Sequence, residues 1–236
     1  MDLSALLALA VVAVALGAVA QAVTGIGFAL VSAPFVIALL GPREGVSVVC
    51  VLATLASVLP LLREGRSTRW RDVWLLLAPI AIATPILAWL LSGVQTRVLA
   101  AAAGVAILLA VVVLARGVRL RHLTGIPGVV GAGVASAAMN VVGGVGGPPV
   151  ALYGANAGWS VPESRATLQW LFAFQNAITV AALGWAFPSW ELLAGLLVGT
   201  VLGTLVAIRL PLAWARTGVL LVSAVGGLAL LLGFGS

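Results

Sequence analysis

Long apolar runs separated by short polar stretches dominate this chain. They occupy eight stretches, at about 3–22, 28–41, 45–62, 73–92, 98–115, 125–158, 164–187 and 191–234. Runs of about 18 or more apolar residues are typical of transmembrane helices. The runs lack the alternation of a membrane β-barrel strand. The pattern therefore predicts an all-α polytopic membrane protein with a single transmembrane domain, 1–236, whose last run splits into two spans near Pro211.

The run 125–158 is interrupted by the segment "MNVVGGVGGPPVALYG" at 139–154, in which glycines and prolines are concentrated between residues 143 and 149. A broken helix in a bilayer leaves backbone groups without partners, which is tolerated only inside protein or beside a cavity. Pro148 and Pro149 suit the first turn of a new helix, where a missing N–H costs nothing. The segment predicts a helix, a break and a short half-helix.

The chain aligns with itself when it is shifted by 119 residues. The shift pairs Gln21 with Asn140, Gly25 with Gly144 and Gly27 with Gly146. It also pairs charged residues: Glu44 with Glu163, Asp72 with Glu191, and Arg97 with Arg216. Pairs of scarce charged residues on one shift indicate an internal repeat. We therefore predict two repeats, at about 1–119 and 120–236, each a broken, re-entrant helical hairpin followed by three transmembrane helices.

The arginines predict how the repeats are oriented. They cluster in loops between apolar runs, chiefly at Arg63, Arg66, Arg69 and Arg71 and at Arg116, Arg119 and Arg121. Basic loops face the cytoplasm. Glu44 then lies outside and its repeat mate Glu163 inside, so the repeats are predicted to be inverted, as in many secondary transporters. The expected location is a bacterial cytoplasmic (inner) membrane, with both termini outside.

The amino-acid composition argues against several other classes of protein. Charged residues make up 8% of the chain, whereas soluble domains carry about 25%. The net charge of +6 comes from loop arginines rather than from a basic soluble domain, so no nucleic-acid partner is expected. Cys50 and His122 are the single cysteine and histidine. We expect no metal site, no cofactor and no enzymatic activity.

Paired glycine and proline interruptions at corresponding positions of two repeats point to the binding site of a transporter. The helix that starts after each break presents its positive dipole end, which favours an anion. Uncharged amides and hydroxyls near the breaks would complete such a site. The candidate substrate-binding residues are Gln21, Thr24, Gly25, Gly27, Asn140, Gly143, Gly144, Gly146, Gly147, Pro148 and Asn176. The alternatives are helix packing through the Gly143–Gly147 G-x-x-x-G pair and plain interhelical hydrogen bonding.

Two segments, "VTGIGFALVSAPFVIALLG" and "AAMNVVGGVGGPPVALYGANAGWSVPESRATLQW", resemble the two repeat signatures of the TauE/SafE sulfite-exporter-like membrane proteins. The resemblance covers nearly the whole chain. It implies export of small sulfur or organic oxyanions such as sulfite or sulfonates. It also points to the glycines of both breaks, to Asn140 and to Pro148. Phe28 stands where family members often carry another glycine.

The function predicted from these features is a secondary transporter that exports a small anion by alternating access. Its partners are that anion and the lipid bilayer, and association into a homo-oligomer is left open. An anion channel on the same scaffold and a non-transporting membrane assembly subunit are the alternatives. Export of an anion from a negative interior gains about 2.3 kcal/mol per charge per 100 mV, so no ATP site is required.

Overall fold

The computed structural model describes residues 2–25, 27–116, 125–206 and 212–233, without the side chains of 63–64 and 212–213. Ten α-helices make up these ranges almost entirely, which confirms the predicted all-α fold. They are α1 (Leu3–Thr24), α2 (Phe28–Leu40), α3 (Pro42–Glu64), α4 (Trp70–Leu90), α5 (Thr96–Arg116), α6 (Gly125–Gly143), α7 (Gly147–Asn156), α8 (Val161–Leu183), α9 (Trp190–Val206) and α10 (Leu212–Leu231).

Seven of these helices are long and apolar enough to cross a membrane, namely α1, α3, α4, α5, α6, α8 and the Trp214–Leu231 part of α10. Helices α2 and α9 are apolar but shorter. Arg119 and Arg121, on which part of the topology prediction rests, lie outside the described residues, as do His122 and Pro211. The chain is thus a multi-pass helical membrane protein in the part that the structure describes.

Both predicted helix breaks are present. Helix α1 ends at Thr24 and α2 begins at Phe28, while α6 ends at Gly143 and α7 begins at Gly147. Gly25 and Gly144 each turn the chain in the left-handed region, with φ of 84° and 68°. A residue with a Cβ would adopt this conformation at a cost of about 1–2 kcal/mol. The glycines at these two positions therefore make the turns possible.

The helices reproduce the 119-residue shift. Helices α3 and α8 begin at residues 42 and 161 and end at 64 and 183, so both ends are offset by 119. Helices α1 and α6 end at 24 and 143, and α2 and α7 begin at 28 and 147, with the same offset. The sequence repeat is therefore also a repeat of helices. Its predicted boundary, near residue 119, lies outside the described residues.

Equivalent helices of the two repeats run antiparallel where they meet. The Ser47 hydroxyl, near the start of α3, donates to the Gly184 carbonyl just after α8, at 2.7 Å. Helices α5 and α10 also contact each other, and the Arg216 side chain near the start of α10 donates to the Leu114 carbonyl near the end of α5. Antiparallel mates are what an inverted repeat requires. The orientation of the repeats across a membrane stays a prediction.

The broken units are hairpins. Helix α1 runs parallel to α9, because Gly195 faces Val11 and Gly199 faces Ala15. Helix α9 follows α8 after a short connection, so α1 and α9 both begin at the end of the bundle where α8 finishes and α3 starts. Helix α2 must therefore return to the end from which α1 came. The α1–α2 pair is a hairpin that turns at Gly25.

The second broken unit reverses direction in the same way. Helix α6 runs parallel to α8, since Ser136 bonds to Gln175 and Asn140 bonds to Thr179, with the same spacing of 39 residues. Helix α7 then returns to the end where α6 and α8 begin. Because α3 and α8 are antiparallel, the two hairpins enter the bundle from opposite ends.

Site-directed cysteine labelling tests this arrangement in a membrane. Glu44 lies at the start of α3, and Arg66 lies in the loop whose Arg69 bonds to Glu163 at the start of α8. Both Glu44 and Arg66 are exposed. We expect an impermeant thiol reagent to label Glu44→Cys from outside the cell only and Arg66→Cys from the cytoplasmic side only. Labelling of both from one side would contradict the inverted topology. The unmodified chain is the control, because Cys50 is 1% exposed.

Candidate functional site at the two helix breaks

The first break is held by two glutamine side chains. The Oε1 atom of Gln21, in the last turn of α1, accepts from the Phe28 backbone N–H at 3.3 Å. Its Nε2 atom donates to Gln169 Oε1 at 3.0 Å, and Gln169 Nε2 donates to the Gly25 carbonyl at 2.6 Å. The two amides thus connect α1, the turn, α2 and α8. They satisfy buried backbone groups that a bilayer cannot satisfy.

Asn140, the repeat mate of Gln21, has the same role at the second break. Its Oδ1 atom accepts from the Gly146 backbone N–H at 3.2 Å. Its Nδ2 atom lies 2.9 Å from Thr179 Oγ1 and 3.4 Å from Asn176 Oδ1. In both repeats, an amide side chain before the break accepts a backbone N–H at or just before the start of the next helix.

Ser136 and Gln175 add a second layer at this break. Ser136 Oγ lies 2.7 Å from the Gly146 carbonyl and 3.0 Å from Gln175 Oε1, and Gln175 Nε2 donates to the Ser136 carbonyl at 3.1 Å. A Cβ on Gly146 would lie 2.9 Å from the Ser136 backbone carbonyl oxygen and 2.5 Å from Gln175 Nε2. Glycine is therefore required there for close approach. The mates of Ser136 and Gln175 in the first repeat are Gly17 and Ala56, so this layer belongs to the second break.

Asn176 is the amide with the longest hydrogen bonds. Its Nδ2 atom lies 3.3 Å from Thr54 Oγ1, and its Oδ1 atom lies 3.4 Å from Asn140 Nδ2. Good N–H···O bonds are about 2.9–3.0 Å long, so these contacts are weak. Asn176 is nevertheless only 5% exposed. Among the amides at the second break, Asn176 therefore loses the least hydrogen-bond energy when it exchanges its present partners for a ligand.

Two small cavities adjoin the breaks. The inter-break cavity, about 40 Å³, is bordered by residues from both hairpins and by α8, including Gln21, Asn140, Gly144, Gly146, Gly147, Pro148 and Asn176. The first-break cavity, about 70 Å³, is bordered by Gln21, Gly25, Arg165, Gln169, Thr200 and Thr204 among others. Gln21 lines both cavities. The described lining of each contains no carboxylate, and the described residues contain no group of three or more metal-binding side chains.

Three predicted site residues do not line either cavity. The Thr24 hydroxyl donates to the Ala20 carbonyl of its own helix at 2.8 Å, and a Cβ on Gly27 would meet Ala20 Cβ at 2.8 Å. Gly143 is buried at the end of α6. Gly143 and Gly147 lie in different helices, so they do not form a packing ridge on a single helix. Gly143 and Gly147 instead flank the break between α6 and α7.

The two breaks contact different turns of α8. Gln21 contacts Gln169, whereas Asn140 contacts Asn176, seven residues further along α8. Seven residues of helix correspond to about 10 Å. The inter-break cavity spans this step, so both hairpins still contribute to one space.

Sequence reasoning missed several polar residues that complete the site: Ser136, Gln169, Gln175 and Thr179. A signal for some of them exists in α8. Arg165, Gln169, Asn176 and Thr179 follow a helical spacing of four, seven and three residues, so they share one face of an otherwise apolar helix. This polar face points toward both breaks.

A charged network fixes the end of the bundle where α8 begins. Arg69 bonds to Asp72 at 2.6 Å and to Glu163 at 3.0 Å. Both hydrogen bonds raise the pKa of Arg69, and the bond to Asp72 has the larger effect. Glu163 also accepts from the Ser160 N–H and forms a capping box with it. The network joins the α3–α4 loop to the start of α8, which carries the polar face.

Helix breaks paired between two repeats, with buried polar groups and small cavities beside them, are characteristic of secondary transporters. The comparison with known protein families agrees with this class. The family model described as Sulfite exporter TauE/SafE matches residues 9–230. The chain therefore belongs to this family of sulfite and sulfonate exporters and is a multi-pass membrane transporter. No curated protein and no solved structure matches the chain.

Replacement of Gly144 tests the requirement for a left-handed turn. We expect Gly144→Ala to destabilise the protein by about 1–2 kcal/mol, because φ is 68° and the new Cβ would lie 3.2 Å from Val49. The measurement is the thermal unfolding temperature in detergent. The matched control is Gly131→Ala in α6, where no atom lies within 4 Å of the new Cβ and a neutral or slightly stabilising effect is expected. Equal effects of the two changes would contradict the assignment.

Proposed function

We propose that the protein is a secondary transporter that exports sulfite, a sulfonate or a similar organic oxyanion across a bacterial cytoplasmic membrane. In this proposal the inverted repeats work by alternating access, and both termini lie outside. The observation that carries the proposal is the inter-break cavity. Amides of both repeats line it, and its described lining contains no carboxylate.

Neutral amides suit a site that must bind an anion and then release it. Amide N–H groups hydrogen-bond to an oxyanion, and such charge-assisted bonds are stronger than neutral ones. In the structure, Asn140 Nδ2 donates to Asn176 Oδ1 at 3.4 Å. An anion would replace this long bond by shorter ones, and its departure would restore it. Buried polar groups thus keep partners in both states, which avoids the cost of leaving them unpaired.

The two ends of the molecule differ beside the breaks, and this difference supports alternating access. The first-break cavity contains the side chains of Arg165 and Gln169. Their repeat mates are Val46 and Cys50. Gln169 and Cys50 are equally buried, at 1% exposed, whereas Arg165 is half-buried and its mate Val46 is 0% exposed. The two ends thus differ at one of these two pairs of equivalent positions. Interchange of these two arrangements would expose the inter-break cavity first to one side and then to the other.

Counterflow in proteoliposomes tests the function. We expect saturable exchange of sulfite or sulfoacetate, with weaker exchange of sulfate and lactate. Asn176→Ala should lower the rate about tenfold or more, because it removes a ligand-facing amide whose interaction with a charged group is worth about 1.5–3 kcal/mol. Asn156→Ala, an equal change at the end of α7 away from both cavities, should leave the rate unchanged.

Other outcomes would replace the proposal. Flux that neither saturates nor shows exchange would indicate an anion channel. Absence of flux for all four anions, in protein that unfolds cooperatively on heating, would indicate a non-transporting assembly subunit. Unchanged exchange in Asn176→Ala would remove Asn176 from the site.

Asn140→Leu tests whether Asn140 supports the break and takes part in transport. We expect it to abolish transport and to lower the free energy of unfolding by about 1–3 kcal/mol, because the Gly146 N–H loses its acceptor. Insertion into the membrane should be retained, since leucine is apolar. Flux and the thermal unfolding temperature are the measurements, and undiminished flux would show that Asn140 has no part in the pathway.

A further inference from the structure

A surface of basic and aromatic side chains lies near the end of the bundle where α8 begins, outside the linings of both cavities. This basic aromatic surface consists of Arg66, Arg71, Trp70, Trp74, Trp170 and Phe174. We propose that it binds an anionic phospholipid, with the phosphate group at the two arginines and the acyl chains against the rings. The inference requires only that the chain spans a bilayer, and it does not depend on which solute is transported.

The four rings form a closed cluster between α4 and α8. The ring centroids of Trp70 and Trp170 lie 5.3 Å apart, and those of Trp74 and Phe174 lie 5.5 Å apart. Neighbouring rings on the same helix are 6.3 Å apart on α4 and 5.8 Å apart on α8. Trp70 and Trp74 are 43% and 55% exposed, so the cluster presents an open aromatic face. In a bilayer this face meets lipid.

The cluster carries three indole N–H donors. Among the described residues, no acceptor bonds to Nε1 of Trp70, Trp74 or Trp170, whereas Trp159 donates its Nε1 hydrogen to Asp72 at 3.1 Å. Tryptophan is enriched at membrane interfaces, where its ring contacts hydrocarbon and its N–H remains in a polar layer. The acceptors that a lipid offers in this layer are its phosphate and ester oxygens.

The two arginines supply positive charge beside the rings. Arg71 follows Trp70 in the first turn of α4, and Arg66 lies in the short turn before α4. That turn touches the cluster, because a Cβ on Gly65 would lie 3.6 Å from Trp170 Nε1. Both arginines are exposed, and neither forms a hydrogen bond or an ion pair among the described residues. They can therefore attract an external phosphate group.

The arrangement of these groups along the helices matches a phospholipid. Trp74 and Phe174 lie one helical turn, about 6 Å, beyond Trp70 and Trp170 on the same two helices. The arginines lie at the opposite side of the cluster, next to the start of α4. Charge, indole donors and apolar rings thus follow one another in the order of phosphate, ester and acyl chain.

The surface occurs in only one of the two repeats. The repeat mates of the four rings are Ser189, Leu193, Val51 and Leu55, and those of the two arginines are Trp185 and Trp190. The repeated fold therefore does not require a basic aromatic surface at the equivalent position. A positive surface at one end of the bundle suits the anionic headgroups of one leaflet. In the predicted topology this is the cytoplasmic leaflet.

Native mass spectrometry of the purified, full-length protein, titrated with phosphatidylglycerol or phosphatidylcholine, tests the inference. We expect phosphatidylglycerol to bind about tenfold more tightly. Arg71→Gln should weaken this binding about fivefold and leave phosphatidylcholine unaffected, because each arginine near a lipid surface contributes about that factor. The matched control is Arg97→Gln, which removes an exposed charge near the start of α5, at the opposite end of the bundle, and should leave both affinities unchanged.

A second pair of variants tests the rings. Trp70→Phe keeps an aromatic ring and removes the N–H donor, so we expect binding of phosphatidylglycerol to weaken about threefold. The control is Trp190→Phe, at the first residue of α9, which is the equivalent of α4 at the opposite end and is 74% exposed at this position. No change is expected there.

The thermal unfolding temperature shows whether each variant is folded, and the arginine variants decide if Trp70→Phe is not. Equal affinity of the unmodified protein for the two lipids overturns the inference. Equal weakening in Arg71→Gln and Arg97→Gln overturns it as well, because it would show a general effect of charge. Displacement of phosphatidylglycerol by soluble glycerol phosphate would also overturn it, since a site for phosphate alone would then explain the binding.

Discussion

The structure depends on one constraint, which is that a helix broken inside a bilayer must find partners for its own backbone. Gln21 and Asn140 meet this constraint in the same way, each accepting a backbone N–H where the next helix starts. The glycines at residues 25 and 144 supply the turn, and the amides make the turn tolerable in an apolar medium. The fold therefore places polar groups inside the bundle, at the two helix breaks. A ligand site becomes possible there.

Helix α8 connects the two breaks. Gln169 bonds to the first break, whereas Gln175, Asn176 and Thr179 bond to residues at the second. A shift of α8 along its axis or a rotation about it would alter both sets of hydrogen bonds together. Helix α8 also packs against α3, which is its antiparallel equivalent in the first repeat. A single element that contacts both breaks is a physical basis for coupling them, which the proposed alternating access would require.

Sequence patterns predicted what depends on local chemistry. The positions of glycines and prolines and the 119-residue shift predicted both breaks, and the apolar runs located α3 and α8 without giving their exact ends. Patterns could not predict which side chains turn toward a cavity, because tertiary packing decides this. Thr24 bonds to its own helix, whereas Gln169, 148 residues from Gln21 in sequence, completes the first break. Which turn of α8 each break contacts likewise follows from how the hairpins pack.

The repeats share the element that stabilises the breaks and differ in the groups around it. An amide acceptor occurs at both breaks, while Ser136 and Gln175 occur at one and Arg165 and Gln169 at the other. A fully symmetric pair of breaks would bind an anion equally from both sides. Differential affinity can come only from groups that the repeats do not share. If the protein exports an anion as proposed, a preference for one side of the membrane would be encoded in the residues that differ between the two breaks.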